Sequence, residues 1–198
     1  MTARVLVVRH AEQIRQAGDP GLSERGRQQA EAVSWILAPL HPVALVSSPL
    51  ARAQQTAAPT ARECGLTVAT DPRLRERVNL DEGRDVEEFL RAWARSTRER
   101  DWQPPGGRSS RRTGEEMRAA LDEAAVEAGT VVIVSHGGAT TDLLRTLLGD
   151  DEVERRAPGL RFTGPAHGAI TALDRTSDGW TVGSVAATDH LDPALRPD

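Results

Sequence analysis

Three short, unbroken apolar runs constrain this chain most: Val5-Leu6-Val7-Val8, Val43-Ala44-Leu45-Val46 and Val131-Val132-Ile133-Val134. A strand with one wet face alternates apolar and polar residues. A strand that is apolar throughout needs cover on both faces. Helical signals follow each run. Ser23 reads as the N-cap of a helix running to about Ala38, stopped by Pro39. Ser48 reads as the next cap, with Pro49 at the first helical position and Gly65 closing the helix after Cys64. Strand then helix, repeated along the chain, predicts an α/β fold: a mostly parallel central sheet with helices on both faces. Such sheets bind ligands at the carboxyl ends of their strands.

The remaining segments fit that plan. Leu66 to Ala69 is a third strand candidate, and Leu74 to Arg84 is a polar loop. Asp85 to Arg100 is a helix with Phe89, Leu90 and Trp93 on one face. Trp102 to Arg112 holds two prolines, two glycines and three arginines and reads as a mobile surface loop. Thr113 and Glu116 form a capping box for a helix to Ala128. A turn at Gly137-Gly138 leads into a helix from about Ala139 to Leu148. Ala169 to Leu173 and Trp180 to Val185 are strands joined through Ser177-Asp178-Gly179. One domain is expected over residues 1–198, with a helical and loop cap at about 74–114.

Charge and composition narrow the function. The formal net charge of -4 argues against nucleic acid or an anionic membrane as the main partner. All 25 basic residues are arginine, so every fixed cation available to an anionic ligand is a guanidinium. Cys64 stands alone, which excludes an intramolecular disulfide and a cysteine zinc cluster. The apolar run near the N-terminus is too short for a signal peptide or a membrane span, so a cytoplasmic protein is expected.

The chemistry sits at the strand ends. The first run leads into Arg9-His10. The second leads into Ser47-Ser48-Pro49, with Arg52 one turn further. The third leads into Ser135-His136-Gly137-Gly138. A parallel sheet puts these ends on one edge, so two histidines and two arginines can converge. Two guanidiniums and the amides of a Gly-Gly turn form a cradle for a phosphate dianion. An imidazole kept neutral by nearby cations can attack phosphorus.

These segments resemble the histidine phosphatase superfamily, which includes the phosphoglycerate mutases. Arg9-His10-Ala11-Glu12 resembles the family's R-H-G-E signature. Leu22-Ser23 with Gly26 and Gln29-Ala30 resembles L-S/T-x-x-G-x-x-Q-A. Ser47-Ser48-Pro49-Leu50-Ala51-Arg52-Ala53 with Thr56-Ala57 resembles S-S-P-L-x-R-A-x-x-T-A. Gly114-Glu115-Glu116 is similar to a G-E-S helix start, Val134-Ser135-His136-Gly137-Gly138 to V-S-H-G-G, and Asp189-His190-Leu191 to a closing H-L. The resemblance implies a phosphoglycerate mutase-like fold and a phosphohistidine on His10. It implies that Arg9, Arg52 and His136 hold the phosphoryl group and that Glu76 donates the leaving-group proton. Gly137, Gln16 and Ser23 join the expected phosphate or substrate contacts, and Glu12 sits near them. Two departures stand out. Ala11 replaces a glycine, which puts a methyl near the phosphate. After Glu76 the family's glycine is missing and Glu82-Gly83 arrives one residue early, so Glu82 or Asp81 could substitute as donor.

Other residues have plainer readings. His41 is a loop residue and His190 a packing one, while His167 is equally structural or site-lining. Arg108, Arg111 and Arg112 are a solvated loop or a grip on a second anionic group. Cys64, Trp35 and Trp93 are apolar filling. The expectation is a metal-independent phosphomonoester hydrolase with no cofactor, a small phosphorylated substrate, no nucleic acid or membrane partner, and a homodimer by default. The alternatives are mutase-type transfer, a catalytically weak phosphate-binding protein and, least favoured, a metal-dependent hydrolase.

Overall fold

The structure is a computed structural model that describes residues 3–125 and 128–196. Its elements, in chain order, are β1 (Ala3–Arg9), α1 (Glu24–Leu37), β2 (Ala44–Ser47), α2 (Ala51–Cys64), β3 (Val68–Thr70), α3 (Val86–Arg98) and α4 (Ser110–Ala124). There follow β4 (Gly129–Ser135), α5 (Gly137–Leu148), α6 (Asp150–Arg156), α7 (Leu160–Thr163), β5 (Ile170–Thr176) and β6 (Gly179–Val182). The sheet order is β3-β2-β4-β1-β5-β6. The first four strands in that order run parallel. Only β5 opposes its neighbours. The sheet is therefore mixed but mostly parallel, as the apolar runs require.

Side-chain alternation along β1 shows why those runs are unbroken. Val5 and Val7 pack with Val131, Ile133, Met117, Leu121 and Leu143, beneath α4 and α5. Leu6 and Val8 pack with Val132, Val134, Val33, Leu37 and Ala57, beneath α1 and α2. Each large side chain buried in this way contributes about 1.5–3 kcal/mol.

The carboxyl ends of the strands are level. Arg9 pairs with Ser135, and Ser47 pairs with Val134. The ladder continues one residue further, with His10 N donating to Ser135 O at 2.9 Å and Ser48 N to Val134 O at 2.9 Å. The segment after β3 then carries Glu76, Val78, Leu80 and α3 over this same edge, where they line a cavity shared with His10.

Several local expectations need correction. Ser48 caps no helix: α2 begins at Ala51 without a side-chain cap, because the Ser48 hydroxyl faces His136 instead. β3 is Val68–Thr70 and β6 is Gly179–Val182, both shifted or shortened from the apolar runs. Gly137 and Gly138 are the first residues of α5, not a turn before it. The capping box at Thr113 and Glu116 lies inside α4. Ser109 is the N-cap, Thr113 Oγ1 bonds back to Ser109 O, and Glu116 pairs with Arg108 and Arg112. Gly114 is likewise interior to α4, where a Cβ would fall 2.3 Å from Asp142 O, so its lack of a side chain serves helix packing. The expected continuation of this helix to Ala128 crosses residues 126–127, outside the described residues. The Trp102–Arg112 stretch is tied down by Arg108 N to Arg77 O at 2.7 Å and Arg111 N to Arg100 O at 2.9 Å. Trp35 is not core: it is 76% exposed on α1. Among the described residues, no helix is long and apolar enough to cross a membrane.

One buried ionic cluster joins α3, α4 and α5. Asp142 is fully buried on α5 and accepts from Ser110 Oγ at 2.6 Å and from Arg77 Nη1 at 3.3 Å. Arg77 also donates to Thr97 Oγ1 at 2.8 Å, and Arg145 donates to Thr97 O at 3.0 Å. Burial pushes the Asp142 carboxyl up to about 6, against the pull of Arg77. Removing one member of such a cluster strands the opposite charge. Asp142→Ala should therefore lower unfolding stability by about 3–5 kcal/mol in urea titration. A loss under about 1 kcal/mol would mean the cluster does not hold these helices together.

Candidate active site

The two histidines meet because their strands are neighbours. His10 and His136 have ring centroids 5.1 Å apart, and both are buried. The His10 Nδ1 lies 2.8 Å from Ala11 O. A carbonyl can only accept, so Nδ1 carries the proton and a neutral ring leaves Nε2 as a free lone pair. Burial pushes the His10 pKa well below 6.5, and the neighbouring His136, Arg52 and Arg9 push it the same way. His136 Nε2 lies 2.8 Å from Ser48 Oγ.

Two guanidiniums flank this pair. Arg9 is anchored from β5's side: Nη1 donates to Pro165 O, and Nη2 is 3.2 Å from His167 Nε2. Arg52 is 4% exposed, donates to Asn79 Oδ1 at 3.1 Å and lies 3.7 Å from Asp19. Burial lowers the proton affinity of both, while the Glu76 carboxylate raises it. Arg9 Nε, Arg52 Nε and Nη1, and His136 Nδ1 are buried without a hydrogen-bond partner. Buried donors without acceptors cost about 1–3 kcal/mol each. A tetrahedral anion supplies several acceptor oxygens to such donors at once.

Glu76 approaches from the segment after β3. Its Oε2 accepts from Gly138 N at 2.9 Å and its Oε1 from Arg77 N at 2.9 Å, which seats it on the first turn of α5. A Cβ at Gly138 would lie 2.4 Å from Glu76 Oε1, so any side chain there would push the Glu76 carboxylate from this seat. Gly137 packs under Arg9, with a Cβ position 3.2 Å from Arg9 Cζ. Arg9, His10, Arg52, Glu76 and Gln16 line one cavity of about 610 Å³. Neither Asp81 nor Glu82 lines it. Asp81 borders a different cleft beside Asn79, and Glu82 packs against Gly18.

Some expectations are displaced. Ser23 does not line the cavity: its hydroxyl caps α1 through Gly26 N at 3.0 Å and donates to Glu12 Oε1 at 2.6 Å. Arg108, Arg111 and Arg112 do not reach the cavity, because Glu116 and Asp101 hold them. The cavity arginines beyond the central pair are Arg15, from the segment between β1 and α1, and Arg25, in the first turn of α1. Sequence reasoning missed them, and their one signal is that they follow a strand's carboxyl end. Trp93 is a half-buried wall of the cavity and not core filling. His167 also lines it, 5.4 Å from the His10 ring, with burial and Arg9 pushing its pKa down to about 3. His190 bonds to Gly168 O at 3.0 Å, away from the cavity lining. Ala11 is accommodated: positive φ is confined to His41 and Ala186 among described non-glycine residues, and Ala11 N donates to Thr56 Oγ1 at 2.9 Å.

A family model described as histidine phosphatase superfamily (branch 1) matches residues 5–188. The chain is 34% identical, over 97% of both chains, to a probable phosphoglycerate mutase, GpmB, of Yersinia enterocolitica. It is similar to the mycobacterial glucosyl-3-phosphoglycerate phosphatase in complex with inorganic phosphate, with a TM-score of 0.75, 26% identity, and coverage of 96% of this chain and 99% of that one. A phosphoglycerate mutase from Bacillus anthracis shares the fold at 20% identity and a TM-score of 0.74, over 96% of this chain and 95% of that one.

The buried histidines couple stability to pH. His10, His136 and His167 all have pKa values below 6.5 in the folded state, burial being the largest cause. The unfolded chain therefore binds protons that the folded chain does not, so their contribution is full above about pH 6.5 and is lost as pH falls below it. Asp142, with its raised pKa, acts in the opposite direction. A substitution isolates the histidine effect. The thermal midpoint of His167→Gln should change less between about pH 7 and pH 5 than that of the parent. Identical slopes in scanning calorimetry would mean His167 is not held neutral by burial.

Proposed function

The chain belongs to the histidine phosphatase superfamily, and from that membership and the geometry of the site we infer that it hydrolyses phosphomonoesters through a phosphohistidine on His10, without a metal ion. One observation carries this reading. A buried imidazole, its Nδ1 pinned to Ala11 O, shares one cavity with two guanidiniums that keep buried N–H groups without acceptors. That arrangement suits a nucleophile aimed at a bound phosphate dianion.

The reaction runs in two steps. The phosphoryl oxygens bind Arg9, Arg52 and His136. The Nε2 lone pair of His10 attacks phosphorus in line, and the bond to the ester oxygen breaks. Glu76, as its acid, gives that oxygen a proton, so an alcohol leaves. The ring's new positive charge is stabilised by the Nδ1–H bond to Ala11 O. A water molecule then attacks phosphorus, Glu76 takes its proton, the N–P bond breaks, and neutral His10 and inorganic phosphate remain. The guanidiniums stay in place throughout, so charge stabilisation needs no reorganisation.

Transfer back to a second hydroxyl, as in a mutase, is the alternative supported by the 34% identical relative. Hydrolysis is favoured because Arg15 and Gln16, exposed residues of the cavity wall, leave a path for water. The partner in either case is a small phosphorylated molecule.

Inorganic phosphate release should be measured on p-nitrophenyl phosphate, 3-phosphoglycerate and a panel of alkyl phosphates, with EDTA present. Turnover should persist in EDTA, and His10→Ala should abolish both turnover and acid-labile protein-bound phosphate. Isomerised phosphoglycerate without phosphate release would favour the mutase, and loss of activity in EDTA would favour a metal enzyme. Glu76→Gln should slow alkyl phosphate hydrolysis by about 10²–10⁴-fold. It should slow p-nitrophenyl phosphate far less, because that phenolate leaves without a proton. Equal losses on both esters would assign the proton to another group.

A further inference from the structure

We propose that the site selects phosphomonoesters whose leaving group presents a ring or other apolar body directly beyond the ester oxygen, with Trp93 and Phe89 as the specificity-determining residues. The proposal rests on the phosphomonoesterase reading above and deepens it.

The direction of departure comes first. In-line displacement puts the leaving oxygen opposite the attacking nitrogen, and Glu76 marks that side. Glu76 and the Trp93 indole share one surface over Gly138. A Cβ on Gly138 would lie 2.4 Å from Glu76 Oε1 and 2.5 Å from Trp93 Cη2. The atoms bonded to the leaving oxygen therefore run out along the indole edge. Phe89 extends that wall, its ring centroid 6.2 Å from that of Trp93, and Val78, Leu80 and Leu90 complete it.

This wall is apolar and uncovered. The α3 residues that line the cavity, Phe89, Leu90 and Trp93, carry no charge. Leu90 is 56% exposed, and Phe89 and Trp93 are only half-buried. A leaving group that covers them gains the free energy of removing apolar surface from water. A carboxylate laid against these three side chains would give up part of its hydration and gain no hydrogen bond or ion pair from them. A small sugar acid phosphate is thus poorly matched to this part of the site.

The wall is also braced. The Arg77 guanidinium lies 4.1 Å from the Trp93 ring centroid. Arg77 is 2% exposed and is held by Asp142 and Thr97. Its backbone N–H also holds Glu76. One buried residue thus sets both the proposed donor and the aromatic wall, so a ligand meets a preformed surface and little ordering cost.

The test compares benzyl phosphate with glycerol 3-phosphate, esters whose leaving alkoxides have similar basicity. The parent should favour benzyl phosphate in kcat/KM by about 10–100-fold. In Trp93→Ala that ratio should fall about tenfold or more. Leu90→Asn, at a position 56% exposed on α3, should lower it a few-fold. Calorimetry of the parent with benzylphosphonate and methylphosphonate adds an arm independent of turnover, with benzylphosphonate expected to bind about tenfold tighter or more. Hydrolysis of both esters with equal kcat/KM, or ratios unchanged by both substitutions, would overturn the proposal and leave the hydrolytic reading intact. Tighter benzylphosphonate binding without hydrolysis of either ester would support the proposal and overturn the hydrolytic reading instead.

Discussion

The bond from His10 N to Ser135 O, 2.9 Å long, is the last rung of the β1–β4 ladder, and the site hangs from it. Because Arg9 pairs with Ser135, the residue after each lies at the same level, and these are the two histidines. A slip of one residue would turn every side chain of β1 to the other face. That slip is costly, because Val5 and Val7 fill one core while Leu6 and Val8 fill the other. The cores that stabilise the fold are thereby what keep His10 beside His136.

Gathering cations in a buried place works against folding, and the molecule offsets this locally. His10, His136 and His167 remain neutral, because burial and the arginines oppose protonation. Arg9 and Arg52 are held partly by Pro165 O, Asn79 and Asp19, yet keep N–H groups without acceptors. Glu76 adds a carboxylate beside them. The result is a site short of anionic oxygen, which is the physical basis for reading it as a phosphoryl site.

A second junction, away from the histidines, governs the other wall of the cavity. Arg77 follows Glu76 in the chain, pairs with Asp142 on α5 and stacks on Trp93 of α3. Helix packing, the seat of Glu76 and the placement of the Trp93 ring are thus coupled through one residue. Glycine appears where that coupling leaves no room, at Gly138 between Glu76 and Trp93.

The alternation of unbroken apolar runs with helices was enough to determine the layered sheet, because only a strand covered on both faces tolerates apolar residues at every position. The ends of those runs marked Arg9, His10, Arg52 and His136, since strand ends share an edge in a parallel sheet. Local signals did less well where tertiary contacts compete for the same side chain. Ser48 reads as a cap, but its hydroxyl faces His136. Thr113 and Glu116 read as a capping box, but Ser109 starts that helix while Arg108 and Arg112 take Glu116. Ser23 does cap its helix, and for that reason it does not line the cavity. Only the folded chain decided which acid faces His10, that Arg15, Arg25 and His167 join the cavity, and that Trp93 is a wall while Trp35 lies in solvent. These depend on how the segments between strands lie across the sheet edge. That is set by contacts between residues far apart in sequence, such as Arg77 with Asp142, which no local period or spacing records.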